Sequence, residues 1–102
     1  MDRIEKLLEL LKNDEKDSFL NHALALEYSK IGNDHKALSL FVDLLANEPA
    51  YVGSYYHLGK LYEKIGEIGK AIDVYENGMR EAKKVGDQHS YNELMGAKEE
   101  IE

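Results

Sequence analysis

The chain contains no cysteine, no tryptophan and no threonine, and its single proline is Pro49. Without cysteine, disulfide bonds and thiolate chemistry are excluded. The shortage of proline and of β-branched threonine favours helix over strand. Long apolar runs are also lacking, and none approaches the roughly 20 residues that a membrane-spanning helix needs. The opening residues Met1-Asp2-Arg3-Ile4-Glu5 lack the basic stretch and apolar block expected of a secretory signal. Positive charge is the last shortage. Thirteen Lys and Arg stand against 20 Asp and Glu, a net charge of -7, and such a field repels phosphate backbones and anionic lipid surfaces. At 102 residues the chain is long enough for one domain with its own core. These limits predict a soluble, acidic, all-α cytoplasmic domain with neither nucleic acid nor membrane as its partner.

What the chain does have is helical periodicity broken by turn residues. Ile4, Leu7, Leu8 and Leu11 mark a first amphipathic helix over residues 2–12. Asn13 to Asp17 form a polar break in which Asp14 or Asp17 can cap the next helix. The spacing predicts a second helix from Ser18 to about Ile31, ended by Gly32, and a third from Asp34 to Asn47, stopped ahead of Pro49. A fourth is predicted from Tyr51 to Ile65, a fifth from Ile68 to Val85 and a sixth from Gln88 to Ile101. Gly96 interrupts the sixth at a cost of about 1 kcal/mol relative to Ala.

Displacing the chain by 34 residues superposes it on itself. Leu24 falls on Leu58, Tyr28 on Tyr62, Ile31 on Ile65, Gly32 on Gly66 and Ala37 on Ala71, while Ala25 meets Gly59 and Phe41 meets Tyr75. The matches fall at the faces, turns and crossings of a helix pair, as stacked hairpins require. Gly59 and Ala71 are therefore expected where two helices approach too closely for a large side chain.

With its two units, Asn21-x-x-Leu24-Ala25-x-x-Tyr28 followed by Ala37, Phe41 and Pro49, and Tyr55-x-x-Leu58-Gly59-x-x-Tyr62 followed by Ala71 and Tyr75, the chain resembles tetratricopeptide-repeat proteins. The short format is similar to small stand-alone bacterial members of that family. Asn21 stands where a large aromatic is usual, and Lys83 replaces the closing Pro. The resemblance implies an α-solenoid, a right-handed superhelical stack of antiparallel helical hairpins. In it, 1–17 would be a half-repeat, 18–51 and 52–85 full repeats, and 86–102 a capping helix.

The resemblance also implies a function, since the first helix of each pair in this family lines a concave groove for peptides. By position that groove takes Phe19, His22, Leu26, Ser29 and Lys30 from the first repeat. The second gives Tyr56, His57, Lys60, Glu63 and Lys64, and Tyr91, Leu94 and Lys98 stand at one end. With only Glu63 opposing Lys30, Lys60, Lys64 and Lys98, the groove is expected to be less negative than the rest of the surface. It would suit an extended protein or peptide segment whose acidic residues flank apolar anchors. The Lys and Asn clamp by which some members hold a C-terminal carboxylate is missing, because its places carry His22, Leu26, His57, Asp87 and Tyr91. An alternative use is structural self-association through the terminal helix or an open solenoid end, so the chain is expected to be a monomer or a weak homodimer.

Catalysis finds little footing. The glycines fall at turns or crossings with no strand before them to form a phosphate loop, and no carboxylate pair sits within an apolar pattern. His22 and His57 fall on successive first helices, yet no His-x-x-x-His pair exists and no cysteine can assist. The expectation is a non-enzymatic chain with no metal and no cofactor.

Overall fold

Helices α1 (Arg3–Leu11), α2 (Ser18–Lys30), α3 (Asp34–Asn47), α4 (Gly53–Lys64), α5 (Ile68–Val85) and α6 (Gln88–Ile101) are connected by short turns in a computed structural model that describes residues 2–102. The described residues contain no strand. Bounds expected for the third, fifth and sixth helices agree with those observed. The fourth begins at Gly53 and not at Tyr51. Glu48, just before Pro49, lies at φ -137° and ψ 80°, in keeping with the extended backbone that a following proline imposes. The chain then needs a further turn before α4, closed by the Ser54 amide donating to the Tyr51 carbonyl at 3.3 Å.

The chain divides into two compact units, Met1–Glu48 and Pro49–Glu102. In the first, α2 packs against both α1 and α3. Leu7 and Leu11 of α1 meet Ala23 and Leu24 of α2, with Ile4, Leu20, Tyr28 and Leu40 closing around them. The apolar stripe of α1 thus finds its counterpart on the neighbouring helix. In the second unit α5 packs against α4 and α6, and α4 also touches α6. Tyr75 and Leu94 are almost wholly buried there, as are Ala71 and Ala82.

The 34-residue periodicity of the sequence is a periodicity of atoms as well. Gly32 and Gly66 adopt φ 80° and 84°, the left-handed region open to glycine at no steric cost. Each closes a helix by the same two bonds. The Asn33 amide donates to the Tyr28 carbonyl at 2.9 Å and the Glu67 amide to the Tyr62 carbonyl at 2.8 Å. Gly32 donates to Ser29 at 3.1 Å and Gly66 to Glu63 at 3.0 Å, completing a Schellman motif in each unit. Lys36 lies 5.1 Å from the centre of the Tyr28 ring and Lys70 5.9 Å from that of Tyr62.

Asn21 and its aligned counterpart Tyr55 make equivalent bonds with different groups. The Asn21 side-chain amide donates to the Glu15 carbonyl at 3.0 Å, while Tyr55, 34 residues on, donates its hydroxyl to the Pro49 carbonyl at 2.7 Å. Both donors reach six residues back and pin the loop that enters the helix.

Asp17 caps α2 by accepting the Leu20 amide at 2.9 Å. Replacing Asp17 by Ala leaves that amide without its partner and is expected to cost about 1 kcal/mol. A urea titration followed by circular dichroism reads the loss, and an unchanged midpoint would show that water caps α2 equally well.

Candidate functional site

A connected polar cluster in the second unit runs along α4. Gly59 leaves room for the ring of Tyr75, which crosses beneath α4 from α5. The Tyr75 hydroxyl donates to the Glu63 carboxylate. Burial first, and then the hydrogen bond and negative charge of Glu63, push the Tyr75 hydroxyl far above its ordinary pKa, so it remains a donor. Glu63 also holds Lys60 at 3.5 Å. The Lys60 ammonium lies 5.5 Å from the centre of the Tyr56 ring, and that ring meets the His57 ring edge to face, at 5.8 Å and 89°.

His57, Tyr56 and Lys60 are therefore held by a chain of contacts that begins at a buried tyrosine. All three remain partly exposed. Lys64 lies exposed at the last turn of α4.

Burial lowers the His57 pKa below its ordinary value of 6.5, with the negative charge of Glu93 on α6 acting in the opposite sense. The folded imidazole therefore stays neutral to lower pH than the unfolded one. The stability this confers is complete above about pH 6.5 and is lost as pH falls through the folded value. His57→Gln is expected to flatten the fall of the urea midpoint between about pH 7 and pH 5.5. Parallel pH profiles for the two proteins would remove His57 as its source.

In the first unit the expected residues have different surroundings. The His22 ring meets that of the buried Phe41 at 5.6 Å and 68°. Leu26 is half-buried, and Phe19 is 67% exposed. Lys30 is drawn to Glu27 at 3.2 Å, and Arg3 of α1 meets the same carboxylate at 3.4 Å.

That pairing corrects the expectation that Glu63 alone opposes the lysines. Glu27 neutralises Lys30, and Lys98 sits between Glu76 of α5 at 3.4 Å and Glu102 at 3.3 Å. Hydrogen bonding to Glu102 is the main reason that the Lys98 ammonium is held above its ordinary pKa. The Glu27–Lys30 and Glu63–Lys60 spacings are three residues, a separation that places side chains together on a helix and was readable in the sequence. The Glu76–Lys98 pair joins two helices and gave no such signal. Among the described residues no group of three His, Asp or Glu side chains could hold a metal ion, and no helix is long and apolar enough to cross a membrane.

The family model described as tetratricopeptide repeat matches residues 54–88, a span that includes all of α5 and nearly all of α4. No curated protein matches the chain. Among solved structures, a solution structure of a tetratricopeptide repeat domain protein from Salinibacter ruber is 45% identical, covering 87% of this chain and 90% of its own, with a TM-score of 0.83. A crystal structure of the Salinibacter ruber domain is likewise 45% identical, with 83% and 94% covered and a TM-score of 0.80. A protein from Bordetella parapertussis shares the fold at 24% identity, with 99% and 88% covered and a TM-score of 0.84. Tetratricopeptide repeats generally mediate protein–protein interaction and are generally non-catalytic. By its repeated turns, its crossings and its likeness to the Salinibacter domain, the chain belongs to the tetratricopeptide-repeat family.

Proposed function

We infer that this protein is a non-catalytic interaction module whose first helices bind an extended peptide or partner segment. The observation that carries this reading is the α4 cluster, in which the Tyr56 ring meets the His57 ring edge to face and has the Lys60 ammonium over it. A ring held in one orientation loses little entropy on binding, and aromatic side chains of this kind dominate peptide recognition. Lys60 and Lys64, one helical turn apart, offer cations to acidic residues flanking an apolar anchor. Glu63 already engages Lys60, so the aromatic contact supplies most of the affinity and the charges tune it. In the first unit, Phe19, His22, Leu26 and Lys30 present the corresponding α2 positions. Phe19 is the most exposed apolar side chain among them.

Panning a displayed library of short peptides against the protein tests this directly. Selected peptides are expected to combine one or two apolar anchors with acidic neighbours and to bind more weakly as salt rises. Tyr56→Ala with Lys60→Glu is expected to weaken them by about tenfold or more, equivalent to about 1.4 kcal/mol, with helical content unchanged. Phe19→Ala reads the contribution of α2 separately. Undiminished capture by the double variant would show that α4 is not the binding face.

A further inference from the structure

Most cations of this acidic chain are spoken for. Lys12, Lys30, Lys60, Lys70 and Lys84 each lie within 3.8 Å of a carboxylate three residues away in the chain. Arg80 and Lys83 on α5 differ. Arg80 donates to the Asn77 side-chain oxygen, and neither Arg80 nor Lys83 has a carboxylate at ion-pair distance among the described residues.

Both line a cavity of about 250 Å³ between α5 and α6, together with Glu76, Met79, Tyr91 and Lys98. A second cavity, of about 220 Å³, shares Lys83 and Tyr91 and reaches Gly86, Asp87 and Gln88 at the turn into α6. The acids of this cleft are already engaged. Glu76 holds Lys98 at 3.4 Å. Asp87 accepts the Ser90 amide at 3.0 Å and the Ser90 hydroxyl at 2.7 Å, bonds that hold its carboxyl below the usual range. Neither is needed by, nor paired with, Arg80 or Lys83.

We propose that the α5–α6 cleft is a second binding site, which takes an acidic peptide segment by pairing a carboxylate with Arg80 and Lys83 and packing an adjoining apolar side chain on Met79 and Tyr91. Guanidinium and carboxylate match as a two-bonded fork, and Lys83 adds a mobile point charge. Each cavity is smaller than the roughly 300–1,000 Å³ typical of sites for whole small molecules, and each is of a size for single side chains. A nucleic-acid strand is disfavoured, because a chain of net charge -7 repels a run of phosphates beyond the cleft. This site is independent of the α4 face, and either can fail without the other.

Titration of isotope-labelled protein with the capped peptide Glu-Glu-Leu-Glu-Glu, followed by amide chemical shifts, tests the proposal. Shifts are expected at Arg80, Lys83 and Tyr91 and should fade as salt is raised, while Lys-Lys-Leu-Lys-Lys should produce none there. Arg80→Glu with Lys83→Glu is expected to weaken binding by about tenfold or more, and circular dichroism checks that these exposed changes leave the helices intact. Tyr56→Ala with Lys60→Glu should leave the α5–α6 shifts unchanged. Shifts confined to α2 or α4, or binding retained by the Arg80→Glu, Lys83→Glu protein, would overturn the assignment. So would a concentration-dependent dimer, seen by light scattering without peptide and abolished by the same two changes, since a second copy would then be the occupant.

Discussion

Replacing Gly59 by Ala is expected to destabilise the protein by about 1–3 kcal/mol through overpacking, although the same change in an exposed helix would gain about 1 kcal/mol. A β-carbon at Gly59 would overlap the Tyr75 ring at three of its carbons. Tyr75 has nowhere to retreat, being fully buried and tied through its hydroxyl to Glu63. Thirty-four residues earlier the aligned positions hold Ala25 and Phe41, both fully buried. One repeat thus has the larger small residue with the hydroxyl-free ring, and the other has glycine with tyrosine. Combining Gly59→Ala with Tyr75→Phe frees the ring to slide and should recover part of the loss. Urea midpoints of the two single variants and the double variant read the coupling. A Gly59→Ala protein more stable than the parent would mean that helix propensity outweighs the crossing.

Leu94→Ala is expected to cost about 2–5 kcal/mol. Leu94 is 1% exposed and anchors α6 in the second unit. It sits over Gly78 beside Tyr55, so closely that a β-carbon at Gly78 would lie 2.8 Å from a Leu94 methyl and 2.6 Å from the Tyr55 β-carbon. Truncation empties a space that α5 and α4 cannot close without moving. Gly96 costs α6 about 1 kcal/mol of helix propensity relative to Ala, so this helix relies on packing for its stability. Its amides should exchange with solvent earlier than those of α5 in the variant. A change in stability under about 0.5 kcal/mol would show that Ala97 and the Asp87 cap hold α6 without Leu94.

The sequence by itself determined the elements and their repetition. Apolar residues at three- and four-residue steps and Gly at positions 32, 66 and 86 are local signals, so helix bounds such as Ile68–Val85 were legible. The start of α4 was not, because the turn after Pro49 is closed by bonds that periodicity does not encode. On the α4 face, Tyr56 and Lys60 were readable as neighbours because they stand four residues apart on one helix, whereas the edge-to-face contact of Tyr56 with the adjacent His57 was not.

Tertiary structure decided the rest. Only packing brought Arg3 to Glu27, Lys98 to Glu76, and the Tyr75 hydroxyl to Glu63. Only packing showed that Asn21 and Tyr55, unlike in size and chemistry, hold equivalent loops. Packing also brought Tyr91 and Lys98 of α6 to the same cavity as Arg80 and Lys83 of α5. The spacing that forms a helix is written within a few residues of chain, whereas the meeting of two helix faces depends on side-chain volumes and rotations summed across separate elements.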